Sequence, residues 1–292
     1  MKIAIVGKPI KEEVVPFVHR LFEILLGQGI QVSVSDEFAQ ALAPLLPLPP
    51  TVELFNRETN LSDVTYMLSL GGDGTLLDTV TYVGPYQIPI MGINMGRLGF
   101  LASVPYAQLV MAIDSLLKGH YTIEERSLIH LDSDQDVFGG KNFGLNEFSI
   151  LKRDTSSMIA VHTYIDGEFL NSYWADGLIV ATPTGSTGYS LSCGGPVMMP
   201  QTNIFVISPV CPHNLNVRPL VVSDTSVISF EIEGRSTKYL VSLDSRSRPV
   251  DATIQLAVRR ENFNARLVKL NQVNFLTTLR TKMHWGLDQR NG

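Results

Sequence analysis

The chain has 292 residues, of which 45% are hydrophobic and 17% charged, and its formal net charge is -5 at pH 7. That is ample for the core of one large domain or two ordinary ones. It excludes the global positive excess that drives binding to a phosphate backbone or an anionic membrane, so no nucleic-acid or membrane partner is expected.

The N-terminal run MKIAIVG stops at Gly7 after about four apolar residues, far short of a signal-peptide core. No window reaches the roughly 18 apolar residues of a membrane span, so a cytoplasmic protein is expected. From residue 1 to about 118, short β-rich runs alternate with helical ones: KIAIV, VPFVHRLFEILL, IQVSV, VTYMLSL, TLLDTVTYV, IPIMGIN and YAQLVMAIDSLLKG. This alternation predicts a parallel sheet with helices packed on it. In the first helix Val14, Val18, Leu21 and Leu25 recur at three- and four-residue spacing, and Gly27 and Gly29 mark its end. Pro44, Pro47, Pro49 and Pro50 cannot continue a helix or a central strand and mark a loop.

After Gly119 the texture changes to short β-type runs separated by Gly, Asp, Asn and Ser: TIEERSLIHL, FGLNEFSIL, MIAVHTYIDG, GLIVATP, NIFVIS, SVISFEI, KYLVSL and TIQLAV. Closely spaced strands with few helical windows predict an all-β second domain over 119–270. In the last stretch Phe275, Leu279 and Met283 return to helical spacing. A lone amphipathic helix must bury its stripe, so 271–292 is expected to pack back on the first domain. Cys193 and Cys211 have no CxxC spacing and read as reduced thiols.

Four segments carry chemistry. In LSLGGDGTLLDTV the apolar run Val64–Leu70 feeds Gly71-Gly72-Asp73-Gly74-Thr75, and helical spacing resumes at Leu76: a strand, a tight turn, a helix N-terminus. Such an end presents unpaired N–H groups and suits phosphate, and glycines let phosphate approach closely. No lysine follows as in a P-loop, and Leu77 stands where the third glycine of a dinucleotide fingerprint belongs. A carboxylate beside phosphate repels it unless a metal or a proton-transfer role explains it. Asp73 either shapes the turn, as Asp and Gly do in many proteins, or does chemistry.

The run ADGLIVATPTGSTGYSLSCGGP sets Asp176 before a strand and a loop crowded with Thr182, Thr184, Ser186, Thr187, Tyr189, Ser190 and Ser192. It is a plain polar turn or a nucleoside cradle in which small hydroxyls bond and Tyr189 stacks on a base. Asn146 and Glu147 interrupt an apolar strand-like run and suit a nucleoside, the amide reading base edges and the carboxylate accepting from ribose hydroxyls. In NMGRLGFLA, Arg97 between Gly96 and Gly99 either lines a cleft at a strand's carboxyl end or sits on a tight loop. His213 and Arg218, among prolines, are structural or meet a phosphate.

Taken in order, GGDGTLL, NMGRLGFLA, LNEFSIL, DGLIVATPTGSTGYSLSCGGP, PHNLNVRPLV and LRTKMHWG resemble the NAD kinase family, from about Gly71 to Trp285. The resemblance implies ATP-dependent phosphorylation of the 2′-hydroxyl of the adenosine ribose of NAD, giving NADP, with a divalent metal, Mg²⁺ by expectation. It implies an α/β nucleotide-binding domain, a β-sandwich-like second domain and a C-terminal segment returning to the first. On the same ground Asp73 matches the general base, and Gly72, Gly74 and Thr75 are expected at the bound phosphates. Asn146, Glu147, Asp176, Thr184 and the run Thr187, Gly188, Tyr189, Ser190, Leu191 and Ser192 are expected at the dinucleotide, Tyr189 against adenine. Arg246 stands where relatives often carry glutamine, Trp174 where a basic residue is common, and Ser157 where some have histidine. The metal ligands stay unassigned. The family's dinucleotide site borrows residues from a neighbouring subunit, which implies a homo-oligomer, dimer or tetramer. Two rivals remain open: a lipid kinase of the diacylglycerol or sphingosine type, which shares the GGDGT turn, and a dinucleotide-binding regulator without catalysis.

Overall fold

The computed structural model of the chain describes residues 1–96, 99–153, 158–270 and 274–284. Two compact units divide it, Met1–Glu125 with Ala265–Gly292, and Arg126–Asn264.

The first unit opens with strands β1 (Lys2–Gly7), β2 (Gln31–Ser35), β3 (Glu53–Phe55), β4 (Tyr66–Gly71), β5 (Ile90–Asn94), β6 (Val104–Pro105) and β7 (Thr122–Arg126). Its helices are α1 (Val15–Gly27), α2 (Asp36–Leu42), α3 (Asp73–Val83) and α4 (Leu109–Leu117). Strands β1 to β5 pair in parallel. Their alternate residues Ile3, Ile5, Val32, Val34, Leu68, Leu70, Met91 and Ile93 share one core with buried side chains of α1, α2 and α4. Helix α3 covers the opposite face: a Cβ on Gly92 would lie 2.7 Å from Leu76 Cδ1. Burial on both faces is why these strands read as continuous apolar runs. Helix α2 escaped the periodicity because it lasts only seven residues. Its signal is the cap, where Ser35 Oγ accepts from the Phe38 N–H at 3.4 Å and Asp36 and Glu37 fill the first turn.

The second unit holds β8 (Ile129–Ser133), β9 (Phe143–Gly144), β10 (Glu147–Lys152), β11 (Ile159–Ile165), β12 (Glu168–Ala175), β13 (Gly177–Ala181), the short helix α5 (Tyr189–Ser192), β14 (Ile204–Val210), β15 (Leu220–Ser223), β16 (Ile228–Gly234), β17 (Lys238–Leu243), β18 (Arg246–Asp251) and β19 (Leu256–Arg260). These form two sheets, in the orders β15-β14-β13-β10-β17-β18 and β12-β11-β16-β19-β8-β9. Their inner faces meet in one core, with Phe148 of one sheet stacked on Phe230 of the other at 5.6 Å between ring centroids. This is a β-sandwich. In β13, Leu178 and Val180 face that core, while Ile179 and Ala181 face a smaller cluster with Met198 and Val206, so every residue of the strand is buried.

The chain then returns with β20 (Ala265–Lys269) and α6 (Phe275–Met283). Strand β20 inserts between β5 and β7, completing the order β3-β2-β1-β4-β5-β20-β7. TIEER, expected to open the β-rich region, is therefore a strand of the first sheet. Helix α6 starts at Asn274, whose side chain accepts from the Thr277 N–H at 2.8 Å, and it buries Thr278 and Leu279. Phe275 packs on Phe100 of the same unit, with ring centroids 6.5 Å apart.

Candidate active site

In the first unit β1 and β4 are neighbours although two strands separate them in sequence, which makes their carboxyl ends the switch point where open α/β sheets bind ligands. The glycine turn sits there. Gly71 ends β4, Gly72 caps α3, and Asp73 is the first helical residue. A Cβ on Gly71 would collide with the Thr75 hydroxyl, and Thr75 is 96% buried, so this pair closes the turn from within. Gly72 and Gly74 face open space, with nothing within 4 Å of an added Cβ. That is the room phosphate needs against backbone amides.

The Asp73 carboxylate is held by the loop after β5. Its Oδ2 accepts from the Phe100 N–H at 2.8 Å, and its Oδ1 accepts from the Leu101 and Ala102 N–H groups at 3.0 Å each. A carboxylate offers roughly four acceptor positions, so among the described residues one is left, on Oδ2. A Cβ on Gly99 would run into Asp73 Oδ1, which explains the second glycine of NMGRLGFLA as clearance for this carboxylate. Asn94 Oδ1 steadies the start of the loop by accepting from the Gly96 N–H at 2.7 Å. Arg97 lies outside the described residues. Asp78, one turn along α3, pairs with Lys8 at 2.7 Å.

In the second unit Asn146 and Glu147 enter β10 directly beneath the hydroxyl-rich loop. Thr182 N–H donates to Asn146 O at 2.8 Å, and the Thr182 hydroxyl donates to Leu145 O at 2.6 Å. A Cβ on Gly185 would strike Asn146 O, and one on Gly188 would lie 2.9 Å from Glu147 Oε2. The glycines of TPTGSTG thus let this loop lie on the Asn-Glu pair. Asn146 Oδ1 and Glu147 Oε2 are buried, with no hydrogen-bond partner among the described residues. Burial, then the nearby charge of Asp244, pushes the Glu147 carboxyl up to about 8, against a donated N–H from Tyr189.

Most of the loop's hydroxyls do not face outward as a cradle requires. Thr184 Oγ1 accepts from Arg126 at 3.1 Å, the Ser186 hydroxyl donates to Pro183 O at 2.7 Å, and Ser190 Oγ meets Ser208 Oγ at 2.9 Å; all three residues are buried. They build the loop. Tyr189 and Ser192 are exposed, and Thr187, Gly188 and Leu191 are half-buried. Burial raises the Tyr189 phenol, and Cys193, Cys211 and Asp176 lie close enough to add to the shift. Asp176 pairs with Lys152 at 2.6 Å. Trp174 is 51% exposed on β12. The Arg246 guanidinium donates to Lys141 O at 2.6 Å and to Phe143 O, and stands 5.4 Å from the Phe138 ring centre. Arg218 closes its own loop by donating to Leu215 O and Val217 O. Ser157 lies outside the described residues. The sequence reading passed over Asp244, two residues before Arg246, whose carboxylate accepts from the Leu145, Asn146 and Glu147 N–H groups at 2.8, 2.7 and 3.1 Å.

A family model of the ATP-NAD kinase N-terminal domain matches residues 3–121, and one of the ATP-NAD kinase C-terminal domain matches residues 145–270. The chain belongs to the NAD kinase family. An NAD kinase from Cytophaga hutchinsonii is 52% identical over 292 residues, covering all of both chains. An NAD kinase from Archaeoglobus fulgidus, solved in complex with ATP, has a TM-score of 0.75 at 27% identity and spans 97% of this chain and 99% of its own. Yeast NADH kinase, solved with NADH, shares the fold with a TM-score of 0.86 at 22% identity, over 100% of this chain and 90% of its own. Membership in the NAD kinase family makes the chain an enzyme that phosphorylates NAD to NADP, and it sets aside the lipid-kinase and regulator readings. Among the described residues no helix is long and apolar enough to cross a membrane.

Proposed function

We propose that Asp73 is the general base of this NAD kinase, taking the proton of the 2′-hydroxyl of the adenosine ribose as the ribose oxygen attacks the γ-phosphorus of ATP and ADP departs. The supporting observation is the carboxylate pinned by three amides with one acceptor position left on Oδ2. That position receives the proton. A base fixed in one orientation contributes through geometry, and phosphoryl transfer is mostly positioning plus charge stabilisation.

The open backbone at Gly72 and Gly74 suits the ATP phosphates, with Thr75 closing the turn behind them. Among the described residues no three His, Cys, Asp or Glu side chains gather as metal ligands. This fits Mg²⁺, which is commonly held by one or two carboxylates plus substrate phosphates and would arrive on ATP. When bound it neutralises charge developing on the phosphoryl oxygens.

Asn146, Glu147, Asp176, Thr187, Gly188, Tyr189, Leu191 and Ser192 form our proposed contact set for the dinucleotide. The unpartnered Asn146 Oδ1 and Glu147 Oε2 support it, because buried polar atoms without partners are costly and a ligand's hydroxyl or amide relieves that cost. Thr184, Ser190 and Arg246 act one step back, holding the loop and the segment before β10. A metal-dependent, cytoplasmic homo-oligomer completes the proposal.

The test is purified protein with ATP, Mg²⁺ and NAD, scored for NADP, alongside Asp73→Asn. The variant is expected to bind NAD and to lose about two to four orders of magnitude in turnover, the range of general acid-base catalysis. Turnover near that of the unmodified enzyme would remove Asp73 from the base role.

A further inference from the structure

Asp244 lies in the turn between β17 and β18 at a positive φ of 52°, a conformation that non-glycine residues adopt sparingly. The residue is half-buried and its carboxylate points inward. Three consecutive amides converge on it, Leu145 on Oδ2 and both Asn146 and Glu147 on Oδ1, while the Asp244 N–H donates back to Glu147 O at 3.0 Å. The two turns are locked by four hydrogen bonds. Gly144 adjoins the carboxylate so closely that a Cβ there would lie 3.0 Å from Asp244 Oδ1. Arg246 supplies the nearby positive charge while gripping Lys141 O and Phe143 O, so the same turn holds the chain on both sides of Gly144.

Side chains at consecutive residues cannot be aimed at one ligand unless their backbone is fixed. Asn146 and Glu147 are such a couple, each with a buried polar oxygen that has no partner among the described residues. The backbone before β10 is set from outside that strand: Thr182 donates to the Leu145 and Asn146 carbonyls, and the Asp244 carboxylate accepts from all three N–H groups. A charged acceptor makes stronger bonds to amides than a neutral one, and removing it leaves donors unmet.

We propose that Asp244 is a positioning residue for NAD recognition, its carboxylate templating the Leu145–Glu147 backbone so that Asn146 and Glu147 present their oxygens to the dinucleotide. The inference rests on the proposed dinucleotide contact set. Asp244 touches neither substrate, and its influence is confined to the NAD side of the reaction.

The experiment is steady-state kinetics of Asp244→Asn, varying NAD and ATP separately, with NAD affinity measured by calorimetry and folding checked by circular dichroism. An asparagine keeps the shape but turns an NH2 group toward amide donors. The KM and Kd for NAD are expected to rise about tenfold or more, the scale of 1.4 kcal/mol, with the KM for ATP within about twofold of the unmodified enzyme. Gly144→Ala is the second arm and is decisive if Asp244→Asn does not fold. It keeps the charge and nudges the carboxylate, so a smaller rise of the same kind, about threefold, is expected. An NAD affinity equal to the unmodified enzyme in a folded variant overturns the proposal, as does an equal loss toward both substrates. If the unmodified enzyme neither binds NAD nor makes NADP, the reading of the site has failed instead, and that outcome is separately visible.

Discussion

Glu147 shows how much of a site's character resides in one side chain's surroundings. Its carboxyl is raised from 4.5 to about 8, first by burial and then by the charge of Asp244. Burial also raises Asp244, and the three amides that donate to it and the nearby Arg246 act against that rise. A group whose folded pKa lies above its unfolded value contributes stability that is fully present below the unfolded pKa and lost as pH rises through the folded one. For Glu147 that window runs from 4.5 to about 8. Glu147→Gln removes this titrating carboxyl, so the urea midpoint of the natural protein should fall relative to the variant's across the window. Parallel midpoint curves from pH 5 to 8 would show that Glu147 is not so perturbed. At this scale the sequence singles out residues that stand in a motif: Asp73, Asn146, Glu147 and Tyr189 are candidates because of their neighbours. Asp244 is not, since the amides it binds lie 97 to 99 residues away and LDSRS carries no local trace of them.

Among the elements, α6 packs against the loop that holds Asp73. Its Phe275 ring lies against Phe100, and Lys282 Nζ stands 5.9 Å from the centre of the same ring, while the Phe100 N–H is one of three holding Asp73. Phe275→Ala is expected to cost about 1 kcal/mol of stability, the scale of an aromatic pair, and to lower kcat several-fold with little change in either KM. A loss of stability at unchanged kcat would mean the loop holds Asp73 without help from the helix. Strongly periodic or unbroken runs were read correctly as elements, α1 and β13 among them. Glu168–Ala175 and Leu220–Ser223 escaped, and so did three strands whose pattern is diluted. Glu53–Phe55 is three residues long on a sheet edge, Arg246–Asp251 carries a proline and two arginines on another edge, and Ala265–Lys269 ends in lysine although it lies inside the sheet. Pairing with a neighbouring strand, the adjacent hairpin partner Lys238–Leu243 for Arg246–Asp251 and remote strands for Ala265–Lys269, makes these segments strands where local propensity does not. The hydroxyl loop misled in the opposite sense. Composition marked it as polar and close-fitting, but composition carries no direction, and Thr184, Ser186 and Ser190 turn inward.

On the scale of the whole molecule, the alternation of strands and helices followed by dense short strands was enough to give both fold classes. It could not show that β7 and β20, on either side of the sandwich in sequence, are neighbours in one sheet. All strand pairings of β8 to β19 lie within Arg126–Asn264, and that unit has its own core. Excised as residues 126–264, it is expected to fold alone and to melt in one cooperative transition; a broad, non-cooperative melt would show that it depends on the rest of the chain. The position of β20 has a consequence in time. During synthesis the first sheet lacks an inner strand until the last stretch of chain emerges, whereas the sandwich is already complete. The half of the enzyme made first is therefore finished last. A ribosome that stops short of Ala265 releases a finished sandwich attached to an open sheet edge, the kind of surface that recruits other chains.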